Sequence, residues 1–301
     1  MKESEKKIYI LLAAGIFIIS FAAILINLAD APPIIIAFYR MFFSALILTP
    51  YFLLKHRDKA SLFLNYRTVI VGFFLAIHFI LWITAFEYTN VANAVIFVAM
   101  QPLFTLILEF LFAKEDLRQG VVLGVVLALI GSIIISIGDM NVLFSKIWGD
   151  FLALAASIFA ASYLFIGRSL RKKVDYFPYI YTIYTYAALF LGLFALLKGL
   201  SFGGYGGINY LYFLGLAVGP TLVGHSVLNY SVRFVPTTIV SLSILGEPVI
   251  STLLAWWILN ESITLVTIFG GIFILGGIYL SVTRKEKSDG KIEEGEVIIN
   301  E

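Results

Sequence analysis

Residues 91–112 read VANAVIFVAMQPLFTLILEFLF, a run in which Asn93, Gln101, Thr105 and Glu109 are the only polar side chains. A stretch of this kind fits a membrane-crossing helix, which needs about 20 predominantly apolar residues to traverse about 30 Å of hydrocarbon. The four polar residues recur at multiples of four, so on a continuous helix they share one slowly drifting face. Against lipid such a stripe is unfavourable, which predicts that the face looks inward.

The same pattern fills the rest of the chain. Of 301 residues, 60% are hydrophobic and only 13% charged, with a mean hydropathy of +0.97, whereas a soluble domain is about a quarter charged. These values exclude a soluble fold and leave no room for a sizeable domain outside the membrane. The net charge of +2 points to neither nucleic acid nor an acidic partner. Without a single cysteine, disulfides, thiol catalysis and thiolate metal sites are excluded together.

Apolar runs divided by charges, glycine clusters and Asn/Asp/Pro turns predict an all-α integral membrane protein with ten spans. They fall at 8–28, 33–54, 68–89, 91–112 and 120–138, then at 148–168, 176–197, 208–229, 237–258 and 262–282. The period-two alternation of a membrane β-barrel is absent. The first run follows Lys6 and Lys7 and imitates a signal peptide, but it exceeds an h-region of about 7–15 residues and is read as a retained helix.

Lysine and arginine set the orientation, because positive loops stay on the cytoplasmic side. Eighteen of the 21 basic residues fall in one set of loops and the ends, Lys146 and Lys198 fall in the other, and Arg40 lies inside a span. Both termini are therefore expected in the cytoplasm, in the plasma (inner) membrane.

The chain also matches itself. At an offset of 146, Gln101 meets Glu247, Pro102 meets Pro248, Thr105 meets Ser251, Glu115 meets Glu261, Gly124 meets Gly270 and Gly131 meets Gly277. At an offset of 142, Leu12-Ala13-Ala14 meets Leu154-Ala155-Ala156. Two five-helix units follow, and since five is odd the second is inverted relative to the first, a recurrent device of secondary transporters. The expected organisation is a cytoplasmic N-terminus (1–7), a first repeat (8–138), an extracellular connection (139–147), a second, inverted repeat (148–283) and a disordered cytoplasmic tail (284–301).

Several of these segments resemble EamA-type transporters of the drug/metabolite superfamily. They are Ala85-Phe86-Glu87-Tyr88-Thr89 with Val91 to Ala94, Gln101-Pro102, Phe112-Ala113-Lys114-Glu115 and Phe38-Tyr39-Arg40-Met41-Phe42. In the second half the resemblance continues through Gly246-Glu247-Pro248-Val249, Leu259-Asn260-Glu261 and the helix from Gly270 to Gly277. It implies ten helices in two inverted bundles, a central cavity, and export or exchange of small metabolites. One departure is Gly15-Ile16-Phe17 where that family often has tryptophan-glycine.

A charge at the centre of a membrane helix costs about 2.5–3.5 kcal/mol on insertion scales, so an embedded one is a functional candidate. Arg40, Glu87, Glu109 and Glu247 are singled out. Glu87 and Glu109 lie near span ends and read as solvated. For Arg40 and Glu247 two readings stand. In one, Glu247 binds a cation, an amino group or a proton while Arg40 holds an anionic group. In the other, the two pair and lock their helices, or Glu-Pro merely marks a bend. Ser243, Glu247 and Ser251 repeat in the ninth span the stripe of the fourth.

The eighth span adds Thr221, His225 and Asn229, and the third adds His78 and Trp82. In the seventh, at least one of Tyr184 and Tyr186 is expected to reach the cavity or a polar partner. Without an HxxxH pairing, the two histidines read as hydrogen-bonded cavity residues or a proton relay rather than as metal ligands. Phosphate loops, nucleophile elbows and dinucleotide fingerprints are absent, so no cofactor is expected. Gly120, Gly124, Gly131 and Gly138, with Gly270 and Gly277, form a close-packing face, either between spans five and ten or in a homodimer. The function expected is secondary transport of a small organic solute that is amino acid-like, nucleoside- or sugar-like, or a cationic drug. An uncoupled facilitator and a membrane-embedded enzyme are the alternatives.

Overall fold

Each apolar run folds as helix because, in hydrocarbon, only bonds within the segment satisfy every backbone group. The computed structural model describes residues 3–113, 119–140, 144–171, 174–231, 244 and 246–289, and among them there is no strand. The first half contains α1 (Glu3–Leu28), α2 (Pro33–Lys55), a 3₁₀ segment (Arg57–Leu64), α3 (Tyr66–Ala85), α4 (Val91–Val98), α5 (Gln101–Ala113) and α6 (Gln119–Met140). The second contains α7 (Phe144–Arg171), α8 (Tyr176–Leu197), α9 (Gly207–Leu216), a π-helical segment (Ala217–Gly224), α10 (His225–Ser231), α11 (Gly246–Ile258) and α12 (Leu265–Asp289). Local chemistry starts them: Pro33 opens α2, and the side chains of Asn65 and Asn90 accept the amides of Arg67 and Asn93 to cap α3 and α4.

Among the described residues seven helical stretches are long and apolar enough to cross a membrane, where ten spans were expected. Of the other three, two are shorter apolar stretches, Val122–Ile135 and Leu265–Leu280, and the ninth falls partly on residues 232–243 and 245, outside the described ones. The helix α12 continues to Asp289, past the boundary expected at 284, and 290–301 again lie outside the described residues.

Two spans expected as single helices are broken, and proline breaks both. Pro102 has no N–H to give the carbonyl of Val98, four residues back, and α4 stops at Val98. A turn takes over, with Met100 N bonded to Phe97 O at 3.2 Å. Pro220 does the same to Leu216, where α9 ends and the π segment begins. The stripe of the fourth span is therefore split, with Asn93 on one helix and Gln101 and Thr105 on the next.

The principal contacts are α6 with α12, α3 with α7 and α8, α2 with α8, and α1 with α11 and the π segment. Each joins a helix of the first half to one of the second. The scheme survives exchange of the halves: α3 on α7 becomes the eighth span on α1, and α1 on α11 becomes α4 and α5 on α7. The glycine face lies inside the chain. A Cβ on Gly131 would come within 2.5 Å of the Gly270 carbonyl oxygen, and one on Gly277 would collide with the Gly124 carbonyl, so α6 and α12 touch backbone to backbone.

A polar clasp ties the halves where α3 passes into α4. Asp150, near the start of α7, is 2% exposed, and its Oδ1 accepts the Thr89 hydroxyl at 2.8 Å and the Asn93 amide at 3.2 Å. Thr267 of α12 donates to Asn93 Oδ1 at 3.2 Å. Glu261, in the turn before α12, accepts the backbone amide of Val91 at 2.9 Å. Burial pushes the Glu261 carboxyl above its ordinary range, while the Val91 amide and Lys146 act the other way. Asn93 is thus a strut of this clasp, with both ends of its side-chain amide engaged there. Asp150 is a fifth embedded charge that the sequence reading passed over.

Two outcomes test these contacts. Gly277→Ala should lower the melting temperature of the purified protein, by overpacking worth about 1–3 kcal/mol, whereas Gly276→Ala should not, because nothing lies within 4 Å of its Cβ direction. Asp150→Ala strands the donors of Thr89 and Asn93 and should cost about 1–3 kcal/mol for each. Asp150→Asn keeps an acceptor and should cost less, and an unchanged melting temperature in Asp150→Ala would remove the clasp.

Candidate functional site

The site grows from α2. Its Arg40 is 2% exposed, well inside the helix, in a chain whose interior is otherwise almost wholly apolar. Two aromatic rings of α3 receive it, with Cζ 4.5 Å from the Phe79 centroid and 5.8 Å from that of Trp82. Cation–π contact of this kind is worth about 2 kcal/mol or more when desolvated. The Arg40 Nε–H donates to Thr221 Oγ1 at 2.9 Å, which links α2 to the π segment of the other half. Among the described residues no carboxylate lies within ion-pairing distance of Arg40. Its Nη1 is buried without a hydrogen-bond partner, and so is Trp82 Nε1.

His78 stands one turn before Trp82 on α3, and their rings stack at 6.0 Å with an interplanar angle of 14°. His78 Nδ1 lies 2.9 Å from the Ala156 carbonyl of α7. A carbonyl has no proton to give, so Nδ1 carries one, which leaves Nε2 of a neutral ring as an acceptor. Around this group the charge of Arg40 acts on Tyr163 of α7, Tyr184 of α8, His225 at the start of α10 and Glu247 in the first turn of α11. His225 also feels His78. Six residues expected from sequence, Arg40, His78, Trp82, Tyr184, His225 and Glu247, are thereby placed in one neighbourhood.

Others are placed elsewhere. Gln101 begins α5, and Thr105 spends its hydroxyl on the Gln101 carbonyl at 3.1 Å. Ser251, fully buried, donates to the Ser20 carbonyl at 3.1 Å and packs α11 on α1. Ser243 and the side chains of Asn229 and Glu109 lie outside the described residues. Tyr186 is satisfied by the carbonyl of Phe63. Phe79 and Tyr163 were not anticipated, since nothing in an aromatic-rich sequence marks which rings face a buried cation.

A cavity of about 700 Å³ opens between the end of α1, the start of α2, the end of α3 and the start of α9. Asp30, Glu87, Asn209 and Tyr205 are among its polar lining residues, and Glu87 is exposed there as expected of a solvated helix end. Ile36 and Ile83 also line it. Ile36 is one turn above Arg40, about 6 Å along the helix, and Ile83 adjoins Trp82. The cavity thus ends one turn short of the buried cation. Among the described residues no group of His, Asp and Glu has the arrangement of a metal site.

Comparison with known proteins agrees with this architecture. An uncharacterized transporter of Archaeoglobus fulgidus is 28% identical over 252 residues, covering 82% of this chain and 85% of that one. The uncharacterized transporter YdfC of Bacillus subtilis is 25% identical, with coverage of 92% and 91%. A solved crystal structure superposes with a TM-score of 0.64 at 17% identity over 93% of this chain and 98% of that one, a likeness of fold. The EamA-like transporter family matches twice, over residues 6–137 and 147–283, and together these take in nearly the whole chain. This multi-pass membrane protein belongs to the EamA-like transporter family.

Proposed function

We propose that this protein is a secondary transporter of the plasma membrane that moves a small organic solute by alternating access, in export or exchange. In this reading ten spans form two five-helix halves of opposite orientation, with both termini in the cytoplasm. The exchange symmetry of the packing, with α6 on α12 and α2 on α8, supports the inverted arrangement. The distribution of basic residues supports the orientation. So does the cavity, whose residues Asp30, Glu87 and Asn209 all sit at helix ends that the charge distribution leaves outside.

One observation carries the reading: the buried, unpartnered Nη1 of Arg40. An unsatisfied buried donor on a charged group is costly, and a solute that brings an acceptor relieves that cost. The unpartnered indole N–H of Trp82 offers a second donor. Glu247 supplies the opposite pole, close enough to feel Arg40 without pairing with it. The solute that matches both poles is a small zwitterion with a carboxylate at Arg40 and an amino group toward Glu247. The faces of Phe79 and Trp82 favour an apolar or aromatic body.

Proteoliposomes loaded with a panel of amino acids, nucleosides, sugars and cationic drugs, and assayed by mass spectrometry, test this. Zwitterions should leave or exchange. Arg40→Met should reduce flux at least tenfold while keeping a monodisperse elution profile, and Glu247→Gln should abolish transport or uncouple it. The double variant should stay inactive. Recovery of flux in the double variant would make the two residues a structural pair, and flux of no zwitterion would end the reading. Orientation is tested separately in this cysteine-free chain: cysteines introduced at Ser201 and Lys59 should label from opposite sides, and labelling from one side would refute the inverted halves.

A further inference from the structure

Back-bonding by serine and threonine hydroxyls is frequent in this protein and mostly reaches the carbonyl four residues back; Ser157 reaches three back and Thr68 reaches three and six back. Ser20, Ser44, Thr49, Thr105, Ser132, Ser162, Thr182, Thr185 and Ser231 each donate to the carbonyl four residues back. Thr221 instead donates to Leu216, five residues back, at 2.8 Å. The reason stands next to it in the chain. In an α-helix the amide of residue 220 would bond the carbonyl of residue 216, but residue 220 is proline and has no N–H. Deprived of that donor, the fully buried carbonyl of Leu216 takes the amide of Thr221 instead, five residues on in the π-helical pattern, and the Thr221 hydroxyl bonds it as well.

That bond has a directional consequence. A hydroxyl has one proton and two lone pairs. With its proton committed to Leu216, Thr221 Oγ1 faces Arg40 only as an acceptor, and it takes the Nε–H at 2.9 Å. Nε lies on the inner edge of the guanidinium, so a fixed bond there sets the plane of the whole fork. The plane is held against the Phe79 ring, and Nη1 is left as a donor without a partner. Thr221 itself is 2% exposed, so no bulk water substitutes for it.

We propose that Pro220 and Thr221 form a positioning device that presents Arg40 Nη1 to the carboxylate of the solute. The inference rests on the reading of Arg40 as the solute's anchor. It adds that affinity is set from the opposite half of the chain, through a carbonyl that proline has freed. Thr221 is a positioning residue: it touches Arg40, and the effect reaches the solute through the orientation of the guanidinium.

Four variants and three readouts, flux kinetics, melting temperature and the Arg40 resonance, test it. Thr221→Val removes the acceptor at nearly constant volume, and Thr221→Ser keeps it. Pro220→Ala supplies the amide that an α-helical register would give to Leu216, so it removes the reason for the π segment and shifts Thr221 relative to Arg40. Arg40→Lys identifies the Arg40 signal in spectra of protein labelled with ¹⁵Nε-arginine. Thr221→Val and Pro220→Ala should each raise KM for zwitterion flux at least tenfold, as expected for a hydrogen bond to a charged group, with maximal rate changed less than threefold. Thr221→Ser should keep the wild-type KM. Pro220→Ala should melt no lower than wild type, so its loss of affinity is not a loss of fold. The Arg40 Nε–H resonance should be slow to exchange in wild type and Thr221→Ser, and shifted or lost in Thr221→Val. A wild-type KM and an unchanged resonance in Thr221→Val overturn the proposal. So does a loss of maximal rate at constant KM with a lower melting temperature, which is a structural effect. If the resonance responds as stated while no zwitterion is carried by the wild type, the positioning device stands and the transport reading falls.

Discussion

Everything near the centre of this protein answers to the burial of one guanidinium. A cation taken from water into a low-dielectric interior incurs a desolvation cost of several kcal/mol, and among the described residues no carboxylate lies at ion-pairing distance to offset it. The offset comes from weaker partners that must all be present together: the faces of Phe79 and Trp82 and the hydroxyl oxygen of Thr221. Those groups sit on α3 and on the π segment, so α2 has to pack against both halves at once. The interlocking of the halves, in which every principal helix contact crosses from one to the other, is the arrangement that allows it. The buried clasp at Asp150 joins the halves again where α3 passes into α4.

Proline supplies the irregularity that such a site needs. In hydrocarbon an unbonded backbone carbonyl is prohibitive, so a broken helix is tolerated only where protein groups replace the missing bond. At Pro102 a turn does so, and the helix changes register between Val98 and Gln101. At Pro220 a π segment and a threonine hydroxyl do so, and the replacement bond is what aims Thr221 at Arg40. The two prolines thus act differently: one divides a polar stripe between two helices, and the other turns a backbone defect into a side-chain orientation.

Much of this was legible in the sequence, for identifiable reasons. Long apolar runs reveal spans because hydrocarbon tolerates little else, and repeated Pro, Glu and Gly reveal duplication because an apolar background does not reproduce them by accident. Arg40 and Glu247 were legible because a charge deep in a span is rare. The split of the fourth span was not, since hydropathy averages over a proline, and a spacing of four keeps one face only while the helix is continuous. Asp150 was missed because a carboxylate near a span end is ordinarily solvated, and only the folded chain shows that Thr89 and Asn93 close over it. Phe79 was invisible for the opposite reason: with 27 phenylalanines, no single ring is conspicuous.

The packing is symmetric under exchange of the halves, yet the polar chemistry is not. At an offset of 147, Gly72 meets Gly219 and His78 meets His225, so the third and eighth spans carry histidine at matching positions. In the same register Pro220 and Thr221 correspond to Phe73 and Phe74, so the first half has no freed carbonyl and no hydroxyl at that point. Glu247 corresponds, at an offset of 146, to the uncharged Gln101. A site repeated in both halves would carry the same charges twice. By confining the cation to α2, its acceptor to the π segment and the carboxylate to α11, the chain keeps the symmetric packing while giving the site a direction.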